Sequence, residues 1–401
     1  MKFSLKLNLL EFSFSCIIVL LWIKLVFSYL SVKLTYFQKE LTSNVEAFNP
    51  LGLHEDFSNN IEIVLLPLML IIIIRYFKYY GKFKEIILVS FCMFMLNIIT
   101  AIINNKSLLE SLNYSMKLFL PIYLFFFLVL YNNRTGKSLK PLLNKTIKLC
   151  LVLSILAILF FNPSFNRLRN YLPIFFSGIH THNYILVSVF IGISYQIYRN
   201  GKYKMMTAFL LGSILFLFFG YNVRTPLIMY LIYATTMIFL VSDIFKVLFL
   251  KILVLAPLFL FLFFLIIDLN ELSSGRLDMY VKKIDQLANY NFIEWVFGKG
   301  AGADLIITDV WWWEKKGAHS DVITYLVENG LLYLLLFVYT FIKITISSQK
   351  INAIYLVILS GCFFTSTISN GIFSRPIAGY LLFMVLAYIY VDINNRTQKT
   401  I

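Results

Sequence analysis

The sequence predicts an all-α polytopic integral membrane protein, and three observations predict it. Of 401 residues, 60% are apolar and only 14% charged, and the mean hydropathy is +0.80. Apolar runs recur from near the N-terminus to near the C-terminus. No polar stretch between them is long enough to form a separate water-soluble domain, so a single membrane-embedded domain over 1–401 is expected. The first run contains Glu11 and Lys24, is followed by no small-residue cleavage signal and has many successors. It reads as a retained helix, not a signal peptide.

A helix needs about 20 apolar residues to cross about 30 Å of hydrocarbon, and about 12 segments meet that test. They lie near 9–32, 61–79, 84–103, 114–131, 145–162, 183–198, 205–221, 225–242, 247–268, 321–342, 351–368 and 375–392. Pro67, Pro121, Pro257 and Pro376 sit at or inside these spans, where a kink is tolerated if protein or water satisfies the freed carbonyl. Lysine and arginine gather in short cytoplasmic connections. The even-numbered connections are the basic ones: Arg75, Lys78, Lys82 and Lys84; Arg134, Lys137, Lys140 and Lys145; Arg199, Lys202 and Lys204; Lys246 and Lys251; Lys343 and Lys350. The odd ones are mixed or acidic, as in Glu40, Glu46, Glu55, Asp56 and Glu62. Both termini are therefore expected to be cytoplasmic. The same dispersal of charge turns the formal +15 away from nucleic acid and toward membrane topology. Cys16, Cys92, Cys150 and Cys362 lie in or at the ends of apolar segments without CxxC spacing, as small packing residues do.

Two outer connections are long, 33–60 and 269–320, and only the second gathers chemical residues. Loops of this length are functional or disordered. Trp295, Trp311, Trp312 and Trp313 lie in the second together with Phe292, Val296 and Phe297, a composition that favours an ordered cap at the interface. Within it RLDMYVKKIDQLANY repeats Leu277, Tyr280, Val281, Ile284 and Leu287 at intervals of three and four, predicting a short amphipathic helix along the membrane surface. FGKGAGAD places Gly298, Gly300 and Gly302 in alternation. It lacks the flanking strand and helix of a nucleotide fingerprint and reads as a turn that brings the loop toward the arginines.

Arginine is concentrated on the outer side, where positive charge is otherwise excluded: Arg167 and Arg169, Arg224 in YNVRTP, Arg276 and Arg375. Its planar fork of donors suits phosphate, so these residues suggest capture of a lipid-linked phosphate or pyrophosphate. Headgroup contact is the alternative for Arg167 and Arg169, snorkelling for Arg224, and a local ion pair with Asp278 or Glu271 for Arg276. His319 in HSDVITYLVENG is the candidate proton-transfer group, just outside a helix that Ser320 caps and Asp321 opens. Asp321 and Glu328 are seven residues apart and share a helix face. His180 and His182 in SGIHTHN lack the carboxylates or cysteines that would complete a metal site.

At these residues the chain resembles the bacterial O-antigen polymerase and O-antigen ligase superfamily of integral membrane glycosyltransferases. The resemblance rests on Arg224 in VRTP, on SGRLDMY with Arg276, on FGKGAG, and on HSDVITYLVENGLL with His319, Glu328 and Gly330. Tyr333 stands where a second glycine often follows in relatives. The resemblance implies an oligosaccharide on undecaprenyl pyrophosphate as donor, a second such lipid-linked repeat unit as acceptor, and reaction with inversion at the periplasmic face of a bacterial inner membrane, without a metal or other cofactor. It assigns catalysis to His319, Arg276 and Arg224. Substrate binding falls to Arg167, Arg169, Asp278, Asp321, Glu328, Arg375 and His182, with Glu328 and Asp321 holding the imidazole. The expected activity is O-antigen polymerisation, in a pathway whose flippase and chain-length regulator are the expected protein partners. Ligation of glycan to a lipid A core and transport of a lipid-linked sugar are the alternatives. The three tryptophans read as an interfacial anchor that delivers His319, with sugar stacking by one of them as the alternative.

Overall fold

The computed structural model describes residues 2–30, 55–160, 164–166, 169–171, 179–221, 223–241, 276–307, 315–347 and 353–399. The expected span at 247–268, Arg167, and Trp311, Trp312 and Trp313 lie outside the described residues.

The chain is an all-α polytopic membrane protein. The described residues form α1 (Lys2–Leu30), α2 (Glu55–Tyr76), α3 (Lys84–Ile103), α4 (Leu108–Thr135), α5 (Lys140–Phe160), α6 (Ile179–Arg199), α7 (Tyr203–Gly220), α8 (Arg224–Val241), α9 (Arg276–Ala288), α10 (Phe292–Phe297), α11 (Asp321–Ile346), α12 (Ala353–Ile368) and α13 (Pro376–Lys399). Two three-residue strands, β1 (Ser164–Asn166) and β2 (Arg169–Tyr171), pair antiparallel after α5 with Phe165 opposite Asn170.

Among the described residues, 8 helices are long and apolar enough to cross a bilayer: α1, α2, α3, α4, α7, α8, α11 and α13. α12 is apolar but shorter. α6 forms where a span is expected, but its first turn carries His180, Thr181, His182 and Asn183 and lowers its hydrophobicity. The expected helix boundaries shift outward where polar residues extend an apolar run, as in α4, which starts at a Ser107 N-cap whose Oγ accepts the Glu110 N–H.

α4 and α13 form the centre. They pack on one another, α2 and α3 flank α4, and α6 flanks α13. Gly379 lets the two central backbones approach, because a Cβ there would meet Pro121 Cγ at 3.2 Å. α8 packs on α12, and α11 lies between α3 and α12. Lys24 of α1 and Glu62 of α2 form a buried ion pair at 2.7 Å.

α9 adopts the predicted amphipathic helix over Arg276–Ala288. Met279, Lys283 and Leu287 are buried, while Leu277, Val281 and Ile284 form an exposed apolar stripe. The inward face turns on a lysine because Asp304 receives it, as described next.

Candidate functional site

The site is assembled on a break in α11. Gly330 has φ 79° and ψ 176° inside the helix, a conformation open to glycine and costly for other residues. The break frees the carbonyls of the preceding turn. Lys299 N–H donates to Val327 O at 3.0 Å, Gly300 N–H to Glu328 O at 2.8 Å, and Tyr290 Oη to Val327 O at 3.1 Å. The two backbones touch: a Cβ on Gly298 would lie 2.3 Å from Glu328 O, and one on Gly330 would lie 2.3 Å from Val296 O. From α3, Thr100 Oγ1 donates to Phe297 O at 2.7 Å and Asn104 Nδ2 to Gly298 O at 3.2 Å. The glycine-rich segment docks on the broken helix because the freed carbonyls supply the acceptors its N–H groups need.

The loop is fastened next by Asp304. Its carboxylate lies 3.0 Å from Lys283 Nζ, accepts the Ala318 N–H at 2.9 Å and the Thr324 hydroxyl at 2.7 Å. Both partners of the ion pair are buried, and burial pushes the Lys283 ammonium pKa down while Asp304 opposes the shift. Sequence reasoning missed this pair; an acid that continues the alternation of Gly298, Gly300 and Gly302 was the available signal. Ile306 and Lys316 then pair antiparallel at 3.1 and 2.9 Å, which closes the intervening excursion and returns the chain to His319.

His319 has φ 52°, in the left-handed region that a non-glycine residue occupies at a cost of about 1–2 kcal/mol. Such outliers persist where the surroundings over-determine them. Here the following residue is fixed: Ser320 caps α11, its Oγ accepting the Ile323 N–H at 3.4 Å and donating to Thr367 O at 2.8 Å. Among the described residues nothing hydrogen-bonds the imidazole. Burial, then the cations Arg276 and Lys316, pushes its pKa down to about 4, with Asp304 opposing and Arg375 adding to the depression. The ring is neutral at pH 7.

His319, Asp321, Thr324, Tyr325 and Glu328 line one cavity of about 380 Å³, with Gly302 and Asp304 of the loop, Phe373 and Ser374 before α13, and Glu110 and Lys117 of α4. That volume lies in the range of about 300–1,000 Å³ typical of small-molecule sites. Asp321 and Glu328 do not hold the imidazole, contrary to expectation. Asp321 Oδ2 accepts the Gly371 N–H at 2.8 Å, and Glu328 Oε1 accepts the Gly302 N–H at 2.8 Å. Each carboxylate faces a backbone N–H that its helix position reaches first, so the two fix the cavity's flanks.

Arg276, the first residue of α9, and Arg375, just before α13, both lie within electrostatic reach of His319 and of His180. Arg375 Nη1 approaches Thr181 Oγ1 at 3.5 Å, and its buried Nε has no partner among the described residues. Other expected site residues lie elsewhere. Arg224 opens α8, is exposed and does not line this cavity. His182 is buried with its Nε2 2.8 Å from Tyr221 Oη and the rings edge-on, a packing contact, while His180, passed over in the sequence, is the histidine nearer the arginines. Arg169 belongs to β2, and Asp278 sits in the first turn of α9. Among the described residues no three His, Cys, Asp or Glu side chains gather as metal ligands. No family model, curated protein or solved structure matches the chain.

Proposed function

We propose that the protein is a lipid-pyrophosphate-dependent glycosyltransferase, an O-antigen polymerase that joins undecaprenyl-pyrophosphate-linked repeat units at the periplasmic face of the bacterial inner membrane. The observation that carries this reading is a neutral, conformationally strained His319 that lines a cavity among membrane helices and lies within electrostatic reach of Arg276 and Arg375. In this reading an acceptor sugar hydroxyl attacks the donor's anomeric carbon. The hydroxyl proton passes to His319, the anomeric carbon–oxygen bond breaks, and the pyrophosphate departs with the bonding pair on the face opposite the attack, inverting the centre. Arg276 and Arg375 stabilise the charge that develops on the leaving group. A neutral imidazole is the form able to take the proton, and the phosphate's negative charge would raise its basicity on binding. Tyr325 and Phe373 in the cavity lining supply aromatic surface for a sugar, and Thr324, Asp321 and Glu328 supply hydrogen-bonding groups for its hydroxyls.

The test is polymer formation by purified protein from lipid-pyrophosphate repeat units. His319→Asn keeps a residue that tolerates the left-handed backbone and is expected to lose about 10²–10⁴-fold in rate with donor binding retained. Unchanged chain formation would sink the assignment. Movement of the donor across vesicles without any glycosidic bond would make the protein a transporter. In cells, deletion should leave core bearing a single repeat; undecorated core beside intact lipid-linked polymer would instead make it a ligase.

A further inference from the structure

α4 carries Lys117 inside the apolar stretch Leu108–Thr135. A cation in such a segment is costly and is retained where it has a partner or a task. Lys117 makes no ion pair or hydrogen bond among the described residues, yet it lines the same cavity as His319. The buried acid within its electrostatic reach is Glu62, and that carboxylate is held by Lys24 at 2.7 Å. The Lys24–Glu62 pair is neutral as a unit. Of the inner acids of the cavity, Asp304 is paired with Lys283, while Asp321 and Glu328 accept the N–H groups of Gly371 and Gly302 and make no ion pair with Lys117 among the described residues. Glu110, two turns earlier on α4, is exposed at the rim.

We propose that Lys117 is a phosphate anchor, binding the pyrophosphate of a polyprenyl-linked substrate from the α4 wall while Arg276 and Arg375 approach it from the outer loop and the start of α13. This assignment rests on the reading of the site as a lipid-pyrophosphate transferase. An ammonium is a compact point charge with three donors, suited to a phosphate oxygen that no planar fork needs to match. It would hold the lipid carrier at the depth where its chain enters hydrocarbon, leaving the arginines for the oxygen that gains charge.

The full-length protein in phosphatidylcholine nanodiscs, probed by native mass spectrometry with undecaprenyl pyrophosphate, undecaprenol and phosphatidylglycerol, tests this. Lys117→Met should weaken undecaprenyl pyrophosphate binding about tenfold or more, Lys117→Arg should restore most of it, and undecaprenol binding should not move. Pyrophosphate binding unchanged in Lys117→Met overturns the anchor. So does an equal loss for undecaprenol, which assigns the residue to packing, or a loss confined to phosphatidylglycerol, which assigns it to headgroup contact. Wild-type protein that does not prefer undecaprenyl pyrophosphate to undecaprenol removes the transferase reading itself, and the anchor with it.

Discussion

His319 combines a left-handed backbone with a depressed pKa, and the two have separate causes. The backbone follows from the turn that Asp304 and Ser320 close on either side of it; the pKa follows from burial first and from Arg276 next. Protonation of the ring is disfavoured in the fold, so with respect to this group stability is fullest above the ordinary histidine pKa of about 6.5 and falls as pH drops through about 4. The kcat/KM profile, which reports the free protein, should accordingly stay flat from pH 8 to pH 5 as far as His319 is concerned. Arg276→Ala removes a cation that repels the imidazolium, which raises the pKa and should shift the acid limb to higher pH. A pH–rate profile of the two proteins measures this, and an acid limb that stays in place would separate Arg276 from His319. His319 was legible in the sequence as a histidine poised before a capped helix. Lys283, Asp304 and Lys117 were not, because one charge in an apolar or amphipathic run looks alike whether it meets solvent or a partner from another element.

At the scale of elements the loop that begins with α9 is held by α11, and α11 by its interruption. Gly330→Ala meets two penalties at once, a left-handed φ and a Cβ 2.3 Å from Val296 O. It should destabilise the docked loop by more than about 1–2 kcal/mol, expose the 276–320 region to protease and abolish turnover while the helical circular dichroism signal persists. Protease resistance equal to that of wild type would refute the docking role. The helices were readable because length and apolarity suffice for a span. The break was not: LVENGLL continues a helical apolar pattern through Gly330, and donors some 30 to 40 residues earlier in the chain, the N–H groups of Lys299 and Gly300 and the Tyr290 hydroxyl, make an interruption favourable. The inward face of α9 was not legible for a related reason. Its apolar stripe of Leu277, Val281 and Ile284 is left outward and its lysine is drawn in by Asp304.

For the molecule as a whole, α4 and α13 are enclosed while α1, α7 and the outer faces of α2 and α3 are largely exposed. Sequence offered little guide to this arrangement, because lipid tails are as apolar as a packed leucine and lipid-facing and protein-facing helices read alike. The buried Lys24–Glu62 pair fixes α1 against α2. Glu62→Ala removes the carboxylate facing a buried ammonium and should cost about 3–5 kcal/mol, whereas Lys24→Met with Glu62→Met should be near neutral or stabilising. Thermal unfolding in detergent distinguishes them; a single variant as stable as wild type would show that the pair is dispensable to the bundle.

The break at Gly330 also gives one helix two sets of partners. As a whole α11 packs on α3 and α12, and Asn329, just before the break, donates through Nδ2 to Asn97 Oδ1 of α3. Before the break, Asp321–Asn329 is stitched to the loop through Val327, Glu328 and Thr324, and to the residues before α13 through Asp321. Those nine residues act as a shared hinge leaf: the histidine, the cavity floor and the glycine turn inherit one frame of reference, and a tilt of any of them carries the other two along.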